Sequence, residues 1–465
     1  METNFSLQSF LVEQYKNNQK TIKEGDSSKL AQMRDKAFEA FAENGFPDKS
    51  MDNWRSTDLT KALSHDYKIL LQAPPYNPVD SYFKCNIKDF DTFMFTFLNG
   101  WYVHKNVPLT VFPDGIIVGS LAHAKKEYPE IVDKYLGTIA KDNNNPMLNL
   151  NGAFMQDGAF VYVPEGVQIS KPLQIVNIVN TKEDLLIQNR NLIIVEKNAA
   201  LKLVHCDDSV TTTDTFINSV SEIYVGQNAE VSYYKLENKD SQSLLINSLY
   251  VKQENDSRFL SNGITFNSGV TRNTITVNID GSNCDADVNG LYLVDKQQKV
   301  DNYVRINHNK PHSRSSQLYK GIMDDQASGS FTGYVYVEKD AQKTEAYQTN
   351  NNIALTDEAS VGANPFLEIY ADDVKCSHGA TIGQLDNEAL FYMRQRGICE
   401  RNSRMLLMYA FAMEVVNKID IEALHKQTDD MVSRRLRGEL SICDMCELHC
   451  GDHTELHFEI DMSKI

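Results

Sequence analysis

The sequence predicts a mainly β protein, a parallel β-helix (β-solenoid) flanked by N- and C-terminal α-helical domains. Three observations carry this. From about residue 95 to 382, short β-branched and aromatic runs such as Phe160-Val-Tyr-Val163, Leu192-Ile-Ile-Val195 and Tyr334-Val-Tyr-Val337 alternate with Asn-, Asp- and Gly-containing breaks, with almost no helical periodicity. A small unit recurs there: Val163-Pro-Glu-Gly-Val167, Val195-Glu-Lys-Asn-Ala199, Val225-Gly-Gln-Asn-Ala229, Val337-Glu-Lys-Asp-Ala341 and Leu355-Thr-Asp-Glu-Ala359. The first three are 32 and 30 residues apart, and a repeat of that size cannot bury its own apolar face unless it stacks on its neighbours. Finally, both ends of the chain change to the three- and four-residue apolar spacing of helices. An antiparallel sandwich or barrel would also supply many short strands. The few hairpin signals, Asn99-Gly100, Asn262-Gly263 and Asn289-Gly290, favour the solenoid.

Taken in order, the elements divide into residues 1–92 (helical), 93–384 (parallel β-helix) and 385–465 (helical with a Cys/His-rich tail). Ser27-Ser28 can cap a helix whose Leu30, Met33, Ala37, Phe38 and Phe41 share a face, and Gly45 then Pro47 end it. Inside the β region, Leu121 to Ala140 has the spacing of one or two short helices. After Gly383, Asp386 caps a helix through Arg396 with Gly397 as its stop, a second runs from about Glu400 to Ile419, and a third from Ile421 to about Leu440. The second is apolar around much of its circumference, so it must be covered on two sides, by the β-helix and neighbouring helices or partly by a partner.

Composition narrows the function. The chain has 465 residues, enough for about three domain-sized units, and Lys+Arg 46 against Asp+Glu 63 gives a net charge of −17. That charge disfavours nucleic acid and anionic lipid as partners. Met1-Glu-Thr-Asn-Phe-Ser has neither the basic nor the apolar part of a signal peptide. The most apolar run, Met405 to Met413, is far short of the ~20 residues a membrane span needs, so the expected location is cytoplasmic. Eight cysteines in this length are too sparse for a disulfide scaffold. Isolated Cys85, Cys206, Cys284 and Cys399 are expected in the core.

No P-loop, dinucleotide-binding glycine motif, nucleophile elbow or His-Glu-x-x-His is present. Two clusters carry metal-type chemistry. In Asp372-Asp-Val-Lys-Cys376-Ser-His378-Gly-Ala-Thr381, an extended backbone would put Cys376 and His378 on one face. Two ligands do not close a site, so either other residues complete it or the pair is a buried Cys beside a hydrogen-bonded His. In the tail, Cys443, Cys446, His449, Cys450, His453 and His457 place six zinc- or iron-type ligands in fifteen residues. The alternative there is a reactive surface tail.

These residues also carry a family resemblance. Ala371-Asp-Asp-Val-Lys-Cys-Ser-His-Gly-Ala-Thr-Ile-Gly383 with Leu390-Phe-Tyr-Met-Arg-Gln-Arg-Gly-Ile398 resembles the C-terminal signature of the SufB/SufD family of the Suf iron–sulfur cluster assembly system. Asn151 to Val167 is similar to that family's lead-in to the β-helix, and Asn53-Trp-Arg-Ser-Thr-Asp-Leu59 to its N-terminal helical element. The Cys-Ser-His-Gly-Ala sequence resembles the SufD branch rather than the SufB branch, which typically has a Glu-His-Glu-Ala type sequence there. The resemblance implies a right-handed parallel β-helix and a non-catalytic scaffold that pairs with a SufB-like paralogue through the β-helices and docks a SufC-like ABC ATPase on its C-terminal helices. It implies a nascent, transient iron–sulfur cluster shared with SufB at the interface, where His378 matches the implicated histidine and Cys376 is its motif neighbour. A flavin in the assembled complex, a homodimer of the isolated chain, and zinc or iron at the tail stay open. So do two other classes, a β-helix carbohydrate-active enzyme and a stand-alone zinc-binding structural protein.

Overall fold

Val163 lies beside Val195, and Val195 beside Val225, in parallel strand pairs of the computed structural model, which describes residues 6–74, 90–103, 107–142 and 145–437. The recurring unit is therefore one rung of a solenoid. Four strands open the β region: β1 (Phe93–Leu98), β2 (Trp101–Val103), β3 (Leu109–Val111) and β4 (Ile117–Ser120). Eight two-strand turns follow: β5 (Ala159–Val163) and β6 (Leu173–Val179), β7 (Leu186–Val195) and β8 (Ala200–Ser209), β9 (Phe216–Val225) and β10 (Glu230–Asn238), β11 (Leu244–Gln253) and β12 (Arg258–Asn267), β13 (Val270–Ile279) and β14 (Asp285–Val294), β15 (Lys299–His308) and β16 (Arg314–Met323), β17 (Ser328–Val337) and β18 (Glu345–Ala354), β19 (Ser360–Ile369) and β20 (Lys375–Gly383). Odd-numbered strands from β5 stack in one ten-stranded sheet that ends in β4 and β3, and even-numbered strands from β6 stack in another that ends in β1 and β2.

The turn chemistry explains the repeat. The fourth residue of the first three units, Gly166, Asn198 and Asn228, has φ of 77°, 57° and 54°, the left-handed region that Gly and Asn tolerate best. Asn228 also donates through Nδ2 to Asn198 Oδ1 at 2.8 Å, so successive turns are tied as well as stacked. The valines that precede these turns face those of the neighbouring rung in a core shared with Leu201, Val231 and Phe259 of the opposite sheet. Of the three Asn-Gly pairs named above as hairpin signals, Asn99-Gly100 alone makes a hairpin among the described residues, between β1 and β2. The other two lie inside β12 and β14, where Gly263 and Gly290 are register neighbours.

The helices are α1 (Leu7–Ile22), α2 (Ser28–Asn44), α3 (Thr60–Leu63), α4 (Leu121–Glu127), α5 (Pro129–Tyr135), α6 (Pro146–Phe154), α7 (Asn387–Gln395), α8 (Glu400–Val416) and α9 (Glu422–Arg437). Ser27 caps α2 by accepting from the Leu30 N–H, and Gly45 ends it at φ +70°. Asp386 caps α7 through the Glu388 and Ala389 N–H groups. Helix α6 was not anticipated from the sequence, although Asn145 and Pro146 are a sound N-cap and N1 pair. Every residue of α6 is buried, so no polar face marks its period. α8 is covered on two sides: Met408, Ala412, Val415 and Val416 share a core with Leu236, Ile264 and Ile322 from the outer face of the even sheet, and with Leu424 and Val432 of α9. Leu406 stays 39% exposed. Among the described residues no helix is long and apolar enough to cross a membrane.

The Asn53 to Leu59 motif docks on the solenoid wall. The Arg272 guanidinium sits 4.1 Å from the Trp54 ring centroid and pairs with Asp301, while Thr57 Oγ1 donates to Asp301 Oδ2 at 2.6 Å.

Candidate functional site: the open end of the solenoid

The last turn has no described strand beyond it. β20 pairs only with β18, in the register Ala346–Cys376, Gln348–His378, Asn350–Ala380 and Asn352–Ile382, and β19 pairs only with β17. Side chains alternate across a strand. Because Ala346, Gln348, Asn350 and Asn352 are buried in the solenoid interior, Cys376, His378, Ala380 and Ile382 occupy the same interior face one rung further out. The facing β19 carries Val361, Ala363, Pro365, Leu367 and Ile369 beside interior Gly329, Phe331, Gly333, Val335 and Val337. The core row thus reaches the end of the stack uncovered by any described residue: Ile382 is 55% exposed and Ile369 38%. The aromatic pair Phe391 and Tyr392 of α7 is 64% and 61% exposed nearby in the chain. Long edge strands that carry apolar residues are templates for pairing with another chain.

Both motif residues lie on this edge strand and share its interior face. His378 is exposed, and its imidazole makes no hydrogen bond among the described residues. Cys376 is half-buried against Val335, Val337 and Ala346, and burial pushes its thiol above the ordinary value, so it is mainly protonated at neutral pH. Among the described residues, no three His, Cys, Asp or Glu side chains come together as a metal site. The open end therefore presents a thiol and an imidazole on one face, with no third ligand-type side chain beside them among the described residues.

Behind His378 lie two residues that sequence reasoning missed. Gln348 and Gln317 are in register on β18 and β16, 3% and 1% exposed, and neither amide oxygen nor nitrogen of either residue has a hydrogen-bond partner. Leaving such a buried polar atom unsatisfied costs about 1–3 kcal/mol. The adjacent interior amides are satisfied: Asn350 Nδ2 donates to Tyr319 O at 3.2 Å and Asn352 Nδ2 to Asn350 Oδ1 at 2.7 Å. The available signal was strict alternation in Glu345-Ala-Tyr-Gln-Thr-Asn-Asn-Asn-Ile-Ala354, which puts Gln348 on the side of Ala346. Polar residues on both faces mask it.

Deeper in the solenoid a chamber of about 50 Å³, its wall mostly apolar with Leu249, Ile275 and Tyr319, also exposes Lys235, Glu237 and Asn273. Lys235 Nζ pairs with Asp207 at 2.5 Å. Asn247, Thr265 and Asn273 donate to the Glu237 carboxylate at 2.6, 2.7 and 3.1 Å, while burial raises its pKa.

The tail ligands Cys443, Cys446, His449, Cys450, His453 and His457 lie outside the described residues, as does Cys85. Cys206 and Cys284 are buried, as expected. Cys399 is exposed, a correction: it is the N-cap residue of α8, where the chain turns at the surface.

Stacked parallel rungs ending in an open edge strand define the chain as a β-solenoid protein. The family profile "SUF system FeS cluster assembly, SufBD core domain" matches residues 177–411 and "SufBD protein N-terminal region" matches residues 6–175. The chain belongs to the SufBD family. It is 31% identical over 336 residues to the iron–sulfur cluster assembly protein SufD of Escherichia coli, covering 70% of this chain and 79% of that one. With SufD of Bacillus subtilis the identity is 28% over 396 residues, 84% and 90% of the two chains. An iron–sulfur cluster assembly SufBD family protein of Synechocystis sp. is 29% identical over 423 residues, 88% and 92%.

Proposed function

We propose that this chain is a non-catalytic scaffold subunit of an iron–sulfur cluster assembly complex, pairing through its open end with a SufB-like paralogue and docking a SufC-like ATPase on its C-terminal helices. The cluster is cargo. It is built transiently at the junction, with His378 as this chain's ligand, Cys376 as its neighbour and the remaining ligands from the paralogue. The observation that carries the reading is the uncapped last turn: β20 offers a row of backbone groups that no described strand satisfies, and strand addition would bond them while covering Ile382 and Leu367. Exposed Leu406 on α8 is available to an ATPase.

The test is co-expression with SufB-like and SufC-like partners, comparing the native chain with an Ala380→Lys/Ile382→Lys variant. Both positions are exposed, so the fold should survive, while inward-pointing charges on an edge strand oppose pairing. Loss of the paralogue from the purified complex is expected. A complex that forms undiminished would overturn the pairing mode.

A further inference from the structure

The orphaned amides at the open end have a use once His378 is a ligand. Resting on the function proposed above, we infer that Gln348, with Gln317 behind it, is a positioning residue for His378. In the side-chain positions described, the Gln348 amide and the His378 ring do not touch; a rotation of the two side chains brings the amide onto one ring nitrogen and fixes the tautomer, leaving the other nitrogen turned toward the partner's half of the junction.

Four observations lead there. Gln348 and His378 are register neighbours on the interior face of adjacent strands, about 4.8 Å apart along the sheet, within reach of a Gln side chain. A ligating histidine normally has its second nitrogen held by a carboxylate, carbonyl or water, which sets tautomer and ring direction. No carboxylate lies on this face of β18 or β20, whose other interior members are Ala346, Cys376, Ala380, Ile382 and the two asparagines, and Asn350 is committed to Tyr319 and Asn352. That leaves Gln348, whose donor and acceptor are both unused. Across the interior, a Cβ at Gly333 would come within 2.8 Å of the Phe331 ring and 2.9 Å of Gln317 Oε1, so the glycine leaves space for both. If the two glutamines were only a structural ladder they would bond each other, and they do not.

The test uses the full chain labelled with 15N-histidine. Among its 11 histidines, the His378 signal is the one lost in His378→Ala. At pH 8 the native ring nitrogens should report one dominant tautomer. Gln348→Leu should give a mixture, and Gln348→Glu, which keeps an acceptor, should restore a single form. Leu fills the site without an orphaned amide, so thermal stability should hold or rise, which separates positioning from folding. In the co-expressed complex, Gln348→Leu should keep the partners but lower iron and sulfide by about tenfold, the scale of losing a ligand's outer partner. An unchanged His378 spectrum in Gln348→Leu overturns the inference. So does full cluster content in Gln348→Leu when His378→Ala loses it, with the proposed function left standing. Full content in His378→Ala as well would sink the function reading itself.

Discussion

Replacing Asp301 by alanine should release the N-terminal helical segment from the solenoid wall. The Arg272 and Asp301 side chains are 2% and 8% exposed, and Asp301 also accepts from Thr57 at 2.6 Å and Ser330 at 2.5 Å. Removing one partner of a buried ion pair costs about 3–5 kcal/mol, because the other charge is left unpaired in a dry site. Here the cation keeps the Trp54 and Tyr303 faces at 4.1 and 5.7 Å, each worth about 0.5–2 kcal/mol, so the loss should fall near the low end, about 3 kcal/mol. Thr57→Val removes one bond to a charged acceptor and should cost about 1.5–3 kcal/mol. The assay is urea unfolding read by Trp54 fluorescence in a Trp101→Phe background, since the chain has two tryptophans. The double variant Arg272→Met/Asp301→Leu should be less destabilised than the sum of the singles. A cost below about 1 kcal/mol for Asp301→Ala, against the range expected for a buried pair, or strict additivity in the cycle, would refute the staple.

Three further outcomes are expected. Burial pushes the His308 imidazole down to about 4, so folding excludes a proton that the unfolded chain binds below about 6.5. The stability is complete above that value and lost as pH falls toward 4, about 3 kcal/mol in all at 1.36 kcal/mol per pH unit; His308→Gln should flatten the urea midpoint between pH 6.5 and 4, and an equally steep variant would exclude His308 as the cause. Replacing Cys443, Cys446 and Cys450 with serine should lower zinc or iron bound by the purified chain, and unchanged metal would dispose of the tail site. On α8, Leu406→Glu should weaken co-purification of a SufC-like ATPase with little change in melting temperature; undiminished ATPase would place that contact elsewhere.

Much of the architecture was legible because the solenoid writes its period into the sequence. Val163, Val195 and Val225 recur since each of these three rungs places an apolar residue before a turn whose positive-φ position is taken by Gly166, Asn198 or Asn228; the units at Val337 and Leu355 keep the apolar residue without a positive-φ fourth residue. Helices with one wet face, such as α2 and α9, were readable by spacing, whereas α6 was not, because burial on all sides removes the amphipathic signal. At the open end the i, i+2 spacing put Cys376 and His378 on one face. It could not show that this face is the solenoid interior, or that β20 is an edge, since strand neighbours lie about thirty residues away and edges are a property of the stack. Gln348 and Gln317 were invisible for the same reason: their importance lies in having no partner, which only packing reveals.

The central claim is that His378 serves a cluster assembled at the open end. The most direct measurement is iron and acid-labile sulfide in the complex purified anaerobically with SufB-like and SufC-like partners, for the native chain and for His378→Ala. Because His378 is exposed and its imidazole makes no hydrogen bond among the described residues, alanine should leave the complex intact, and the account predicts that the cluster alone is lost. An intact complex with full iron and sulfide would contradict it.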